Sequence, residues 1–325
     1  MSAGKAKDGH LSACGGRRRR KQTDRWQPHP VLMPLTASQA ERLVRLSEEA
    51  VAKRGFTMRY DGAGALVPVG SDGAPVRDGA SAGLMNLART VADLPRQQWR
   101  SAVAAHFDQM ISPHEPPRIP DDLENELYLR LVCAATIDPE MGEGVPEFAP
   151  GVLTVPATYV GRGVAMHFNV DSLGVPQEEA TRMGLANLRS LRDEVDTVHF
   201  DGADLTLLTG SMFTASRALV FDTVLRESLQ VENPPFGCLV AMPARDMLFV
   251  HVLRDQTMLK ALQLLITTAS SMFSTRPGPV SPHVYYVSNH EWHQVTDYST
   301  GELHLRAVGQ LEDAAQRLGV SETAA

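Results

Sequence analysis

The stretch from Phe236 to Arg306 constrains the fold more than any other part of this chain. Phe236 to Pro243 and Met247 to Leu253 are two apolar runs rich in β-formers, separated only by Ala244, Arg245 and Asp246. So short a polar gap between two such runs predicts a hairpin, with Cys238 opposite about His251. Leu259 to Phe273 then reads as a largely apolar helix, and Tyr285 to Val287 and Glu302 to Leu305 return to strand character. A helix set between strand pairs has to bury one face on the sheet they form.

The rest of the chain extends this pattern. Ala40, Leu43, Val44, Leu46, Ala50 and Val51 form a stripe at helical spacing over 38–54, opened by Ser38 with Glu41 three residues on and closed by Gly55. Phe56 to Tyr60 and Ala65 to Val69 alternate around a glycine-rich turn, and a further extended piece is expected near Val76. Two helices follow, Leu84 to Leu94 and Pro95 to Ile111, the second with Trp99, Val103, Phe107 and Met110 on one face. Pro113, Pro116, Pro117 and Pro120 mark a connection over 112–125.

Beyond it, Glu126 to Cys133, Val152 to Val160 and Val164 to Val170 read as strands, the last two joined through Gly161 to Gly163. Pro176 to Val195 is an amphipathic helix, Val198 to Leu208 one extended run, Ser216 to Leu229 helical, and Ala307 to Leu318 the last helix. The order predicts an α+β fold: a mixed, largely antiparallel sheet with packed helices over 126–319, preceded by a helix-hairpin-helix-helix region over 33–111.

Charge is uneven. Residues 1–30 carry a net +6, leaving −13 on the remainder of a chain whose total is −7. An acidic body argues against an extended nucleic-acid surface, so contact with nucleic acid is expected only through Arg17, Arg18, Arg19, Arg20 and Lys21. Residues 1–32 read as a disordered basic tail. Met33, running straight into a helix, also has the form of a start, which would make that tail an upstream extension from a miscalled initiation codon. Residues 320–325 form a second short tail. No apolar run reaches the ~18 residues of a membrane span, and no apolar segment follows the arginine run, so the cytoplasm is the expected compartment. Three separated cysteines, Cys14, Cys133 and Cys238, fit a reducing environment.

Histidine is where acid–base chemistry would sit. His290 and His293 flank Glu291 and Trp292, without the His-Glu-x-x-His spacing of a metal helix, and no metal or cofactor is expected. Asp171, His199 and Asp201 could supply a carboxylate–histidine group, and His199 and Asp201, alternating on a strand followed by Asp204, could form one polar face. Cys238 with His251 is the Cys/His pair that hairpin geometry brings near, and no third residue to orient the histidine is identifiable. Arg245 and Asp246 at the hairpin tip are candidates for binding an anion or a partner.

Residues 126–318 resemble the YtpQ-like family of bacterial proteins of unknown function. The likeness rests on Leu127 to Val132, Met183 to Arg189, Leu239 to Leu248 and Pro279 to Tyr285, in that order. It implies a fold and no reaction. The expected function is a non-catalytic module binding a protein partner or small ligand. The alternative is a hydrolase or transferase built on Cys238 and His251 or on the carboxylate–histidine group.

Overall fold

A computed structural model of the chain describes residues 27–70, 81–111, 119–160, 163–200, 202–306 and 308–320. The basic run at 17–21, the piece near Val76, Gly161, Arg162 and Asp201 lie outside the described residues. The chain divides into two compact units, Met1–Ser112 and Pro113–Ala325. Among the described residues, no helix is long and apolar enough to cross a membrane.

In the first unit, helix α1 (Ala37–Ala52) begins one residue before the expected cap. The capping box is Thr36 with Gln39, and the Thr36 N–H donates to Gln39 Oε1 at 2.8 Å. Strands β1 (Met58–Tyr60), β2 (Ala65–Pro68) and β3 (Ala82–Gly83) form a small antiparallel sheet. Asp61 Oδ1 accepts the N–H groups of Ala63 and Ala65 and closes the β1–β2 turn. Helices α2 (Met85–Ala92) and α3 (Trp99–Ile111) complete the unit, with Trp99, Val103 and Phe107 buried on one stripe.

The fold takes in residues before Met33. Leu32 is fully buried with Leu35 and Leu43, and His29 Nδ1 accepts the N–H of Leu32 at 2.9 Å. Placing the folded boundary at Met33 therefore cuts into this core.

The second unit opens on an antiparallel sheet of β4 (Leu127–Cys133), β5 (Glu147–Ala149), β6 (Val152–Val160) and β7 (Gly163–Met166). Helix α4 (Gln177–Ser190) packs on β4 where only glycine fits, since a Cβ on Gly184 would lie 2.7 Å from Leu129 Cγ. The helix ends at Ser190 rather than Val195, because the next residues enter β8 (Glu194–Phe200). The run expected as one extended segment is a hairpin of β8 and β9 (Ala203–Thr209). It turns at Gly202, where φ is +79° and glycine is favoured.

A helical run follows, 3-10 over Ala215–Val220, α over Phe221–Thr223 and π over Val224–Ser228. Strands β10 (Cys238–Ala241) and β11 (Leu248–Val252), helix α5 (Met258–Thr275), and strands β12 (Val284–Ser288) and β13 (Glu291–Gln294) come next. The chain closes with β14 (Thr296–Asp297), β15 (His304–Leu305) and helix α6 (Gly309–Arg317). The main sheet runs β13-β12-β10-β11-β9-β8, all antiparallel. This is the α+β architecture that the strand and helix patterns predict.

Alternation divides the central strands between two cores. Leu239, Phe249 and Tyr286 pack against Leu262 and Leu265 of α5 and Leu311 of α6. Cys238, Val240, Val250 and Tyr285 face Ala215, Phe221 and Val224, with Leu131 and Val152 of the other sheet. Each fully buried Leu or Phe contributes about 1.5–3 kcal/mol, so both faces of β10 and β11 are held by apolar burial.

Candidate functional site

The Cys238/His251 pair does not form. The register places Cys238 opposite Val252 and His251 opposite Leu239. A shift of one residue sends a side chain to the other face of a strand, so the thiol and the imidazole lie on opposite sides of the sheet. The connection is also wider than a tight turn, because β10 ends at Ala241 and β11 starts at Leu248. Burial pushes the Cys238 thiol up to about 12, far from the thiolate that nucleophilic chemistry needs. The His251 Nδ1–H donates to the Asp204 carbonyl at 2.8 Å.

Arg245 and Asp246 are not on a solvated tip. Ala244 is fully buried and pairs with Pro279, the Arg245 N–H donates to Gly278 O at 2.9 Å, and the Arg245 carbonyl accepts the Ala215 N–H. Arg245 and Asp246 are half-buried, and Arg276 reaches Asp246 at 3.5 Å.

His199 of the carboxylate–histidine group meets a carboxylate outside that group, Asp204, across the β8–β9 pair, with Nδ1 and Oδ1 2.6 Å apart and both side chains largely exposed. Asp171 sits in a 3-10 turn (Val170–Leu173), its N–H donating to Asn169 Oδ1. His290 occupies a turn and His293 stacks on Tyr286 at 6.4 Å. Among the described residues, no group of three or more His, Cys, Asp or Glu side chains is placed to hold a metal ion.

A concavity lies at the opposite end of the central strands from Arg245. Its volume is about 690 Å³, within the ~300–1,000 Å³ range of small-molecule sites. Three pieces of backbone shape it. The π-helical turn contributes Leu225 and Arg226, and such turns recur at functional sites. The segment 233–237 enters β10 through Gly237, at φ +75°, where an added Cβ would lie 2.5 Å from the Val287 carbonyl. Asn289 and His290, at φ 50° and 65°, form the two-residue turn between β12 and β13.

Aromatic side chains contribute to the lining from both faces of the sheet. Trp292 is half-buried and packs edge-on against Phe221 at 5.3 Å and Tyr285 at 5.9 Å. The Tyr286 hydroxyl donates to the Phe236 carbonyl at 3.1 Å, and the Arg317 guanidinium lies 4.8 Å over the Phe236 ring. Asp222, Glu232, Asp313, Arg226 and His290 line the exposed rim. Cys238 lines the cleft but is itself fully buried. The arrangement offers aromatic contact together with hydrogen bonds and charge.

Of the cleft residues, the sequence singles out His290 and Trp292, as part of a histidine pair without metal-helix spacing. Comparison with known proteins found no matching family model, curated protein or solved structure.

Proposed function

We propose that the protein is a cytoplasmic, non-catalytic binding module that takes a small ligand in the cleft between the π-helical turn, the β12–β13 turn and α6. The observation that carries this reading is a concavity of about 690 Å³ with aromatic side chains in its lining and a charged rim. The separation of Cys238 from His251 supports it, since it removes the nucleophile and base of the thiol alternative. The resemblance of residues 126–318 to YtpQ-like bacterial proteins agrees with the reading and implies no reaction.

The test is a ligand-observed NMR screen of a fragment library on the full chain and on an Asp222→Arg/Asp313→Arg variant, both positions lying exposed on the rim. Aromatic fragments should bind the native chain and be lost from the variant, with thermal unfolding unchanged. Fragments that bind both equally, or bind neither, would sink the reading.

A further inference from the structure

The described residues include two buried arginines, and they are treated differently. Arg217, 1% exposed, is paired with Asp193. Arg130, 7% exposed, has no carboxylate within ion-pair distance and no hydrogen-bond partner at Nε among the described residues. Leaving a buried cation unpaired costs several kcal/mol, so an arginine in this state points to a missing anion.

The surroundings of Arg130 are built. On β4, alternation puts Tyr128 and Arg130 on one face, and Tyr159 of β6 shares it. Phe213 stacks on Tyr128 at 4.6 Å and meets Tyr159 edge-on at 5.1 Å, and the Arg130 guanidinium carbon lies 6.0 Å over the Phe213 ring. The guanidinium thus rests on a fixed aromatic platform, which lowers the entropy lost when a ligand binds.

The segment that supplies Phe213 joins β4 to the Arg245 connection. Ser216 Oγ accepts the Leu131 N–H at 2.9 Å, and the Ala215 N–H donates to the Arg245 carbonyl at 3.1 Å. Arg245 is the strongest like charge acting on Arg130; burial first and then Arg245 bring the Arg130 pKa down to about 10, so it stays charged at neutral pH. Asp246 is paired with Arg276, and its Oδ1 is buried without a hydrogen-bond partner. Asp246 also acts favourably on Arg130, so among the described residues one carboxylate faces the guanidinium groups of Arg130, Arg245 and Arg276.

From this juxtaposition we infer a second site, separate from the cleft, in which Arg130 and Arg245 bind the phosphoryl group of a small phosphorylated molecule. A phosphomonoester carries about −1.5 to −2 charge at neutral pH and three acceptor oxygens, matching two guanidinium forks. A monocarboxylate would leave one guanidinium unmatched. Arg245 and Asp246 are half-buried, so a ligand would reach Arg130 from their side. The unpartnered Asp246 Oδ1 would accept a hydroxyl or amino proton of the ligand's organic part.

The test uses the full chain with inorganic phosphate, phenyl phosphate and acetate as probes, followed by calorimetry and thermal shift. Phosphate and phenyl phosphate should bind, and acetate should not. Arg245→Gln should weaken both about tenfold or more, the loss of one hydrogen-bonded charge contact. Arg130→Lys should do the same while keeping the charge, because the bidentate fork is lost. Tighter binding of phenyl phosphate would identify a monoester as the ligand class, and tighter binding of inorganic phosphate would identify the free ion. If Arg245→Gln responds to phosphate as the native chain does, or acetate matches phosphate, the response is general salt stabilisation and the proposal fails.

Discussion

Asp193 and Arg217 form an ion pair in which both side chains are all but sealed from solvent. The Ser228 hydroxyl donates to the same carboxylate oxygen at 2.6 Å, so three segments meet at Asp193: the entry to β8, the 3-10 run and the π-helical turn. Arg217 Nε and Nη2 are buried without other partners, which makes Asp193 its sole counter-charge among the described residues. Asp193→Asn should lower unfolding free energy by about 3–5 kcal/mol, read from urea denaturation. The double replacement Asp193→Leu/Arg217→Met should recover much of that loss, because a buried pair replaced by apolar groups leaves no unpaired charge.

A chain beginning at Met33 should fold less stably than the full chain. It lacks Leu32, which is fully buried, and the histidine cap that holds the Leu32 N–H. Loss of one buried leucine is expected to cost about 2–5 kcal/mol, seen as a lower midpoint in thermal or urea unfolding. The full-length Leu32→Ala variant should lose a comparable amount, and unchanged stability in both would overturn the placement.

Stability should fall as pH drops below the ordinary histidine value. Burial lowers the pKa of His106, His167 and His283. A histidine with a depressed pKa binds fewer protons in the fold than in the unfolded chain, so stability is full above about pH 6.5 and declines below it. His167 is the most telling, being buried with its Nε2 2.9 Å from the Thr158 hydroxyl. Urea midpoints measured from about pH 7.5 down to about pH 5 should decline, and the decline should be shallower in His167→Gln.

Cys238 should resist alkylation. Its thiol is fully buried and pushed up to about 12, so almost none is thiolate at neutral pH. Iodoacetamide followed by peptide mass spectrometry should leave Cys238 unmodified in the native chain and modify it in denaturant. Rapid native labelling would restore the thiol to consideration as a nucleophile.

Long, strongly periodic elements were legible in the sequence. The Trp99, Val103 and Phe107 stripe, the apolar helix after Leu253 and the strands at Leu127 and Val152 lie where their spacing places them. Short turns were harder to read. The β8–β9 hairpin turns at Gly202, where Asp201-Gly202 is a hairpin signal that an extended reading of Val198 to Leu208 leaves unused, and Asn289 with His290 turns between β12 and β13. The Cys238 register failed by one residue, because the six-residue connection from Met242 to Met247 is partly buried and follows no tight-turn rule. Arg130 gave no sign locally, since it stands in an apolar strand and its platform, Phe213, comes from a distant segment. Tertiary juxtaposition of that kind has no sequence periodicity to announce it.

The position of β8 has a colloidal consequence. Among the described residues it pairs only with β9, so its outer N–H and C=O groups form an open edge flanked by the exposed apolar side chains of Val195 and Phe200. Such an edge is a template for pairing with a second copy. Glu194 and Asp196 are exposed on the same strand, and an edge-to-edge meeting of two copies would bring these like charges together. The two exposed carboxylates thus oppose the pairing that this open edge would otherwise invite.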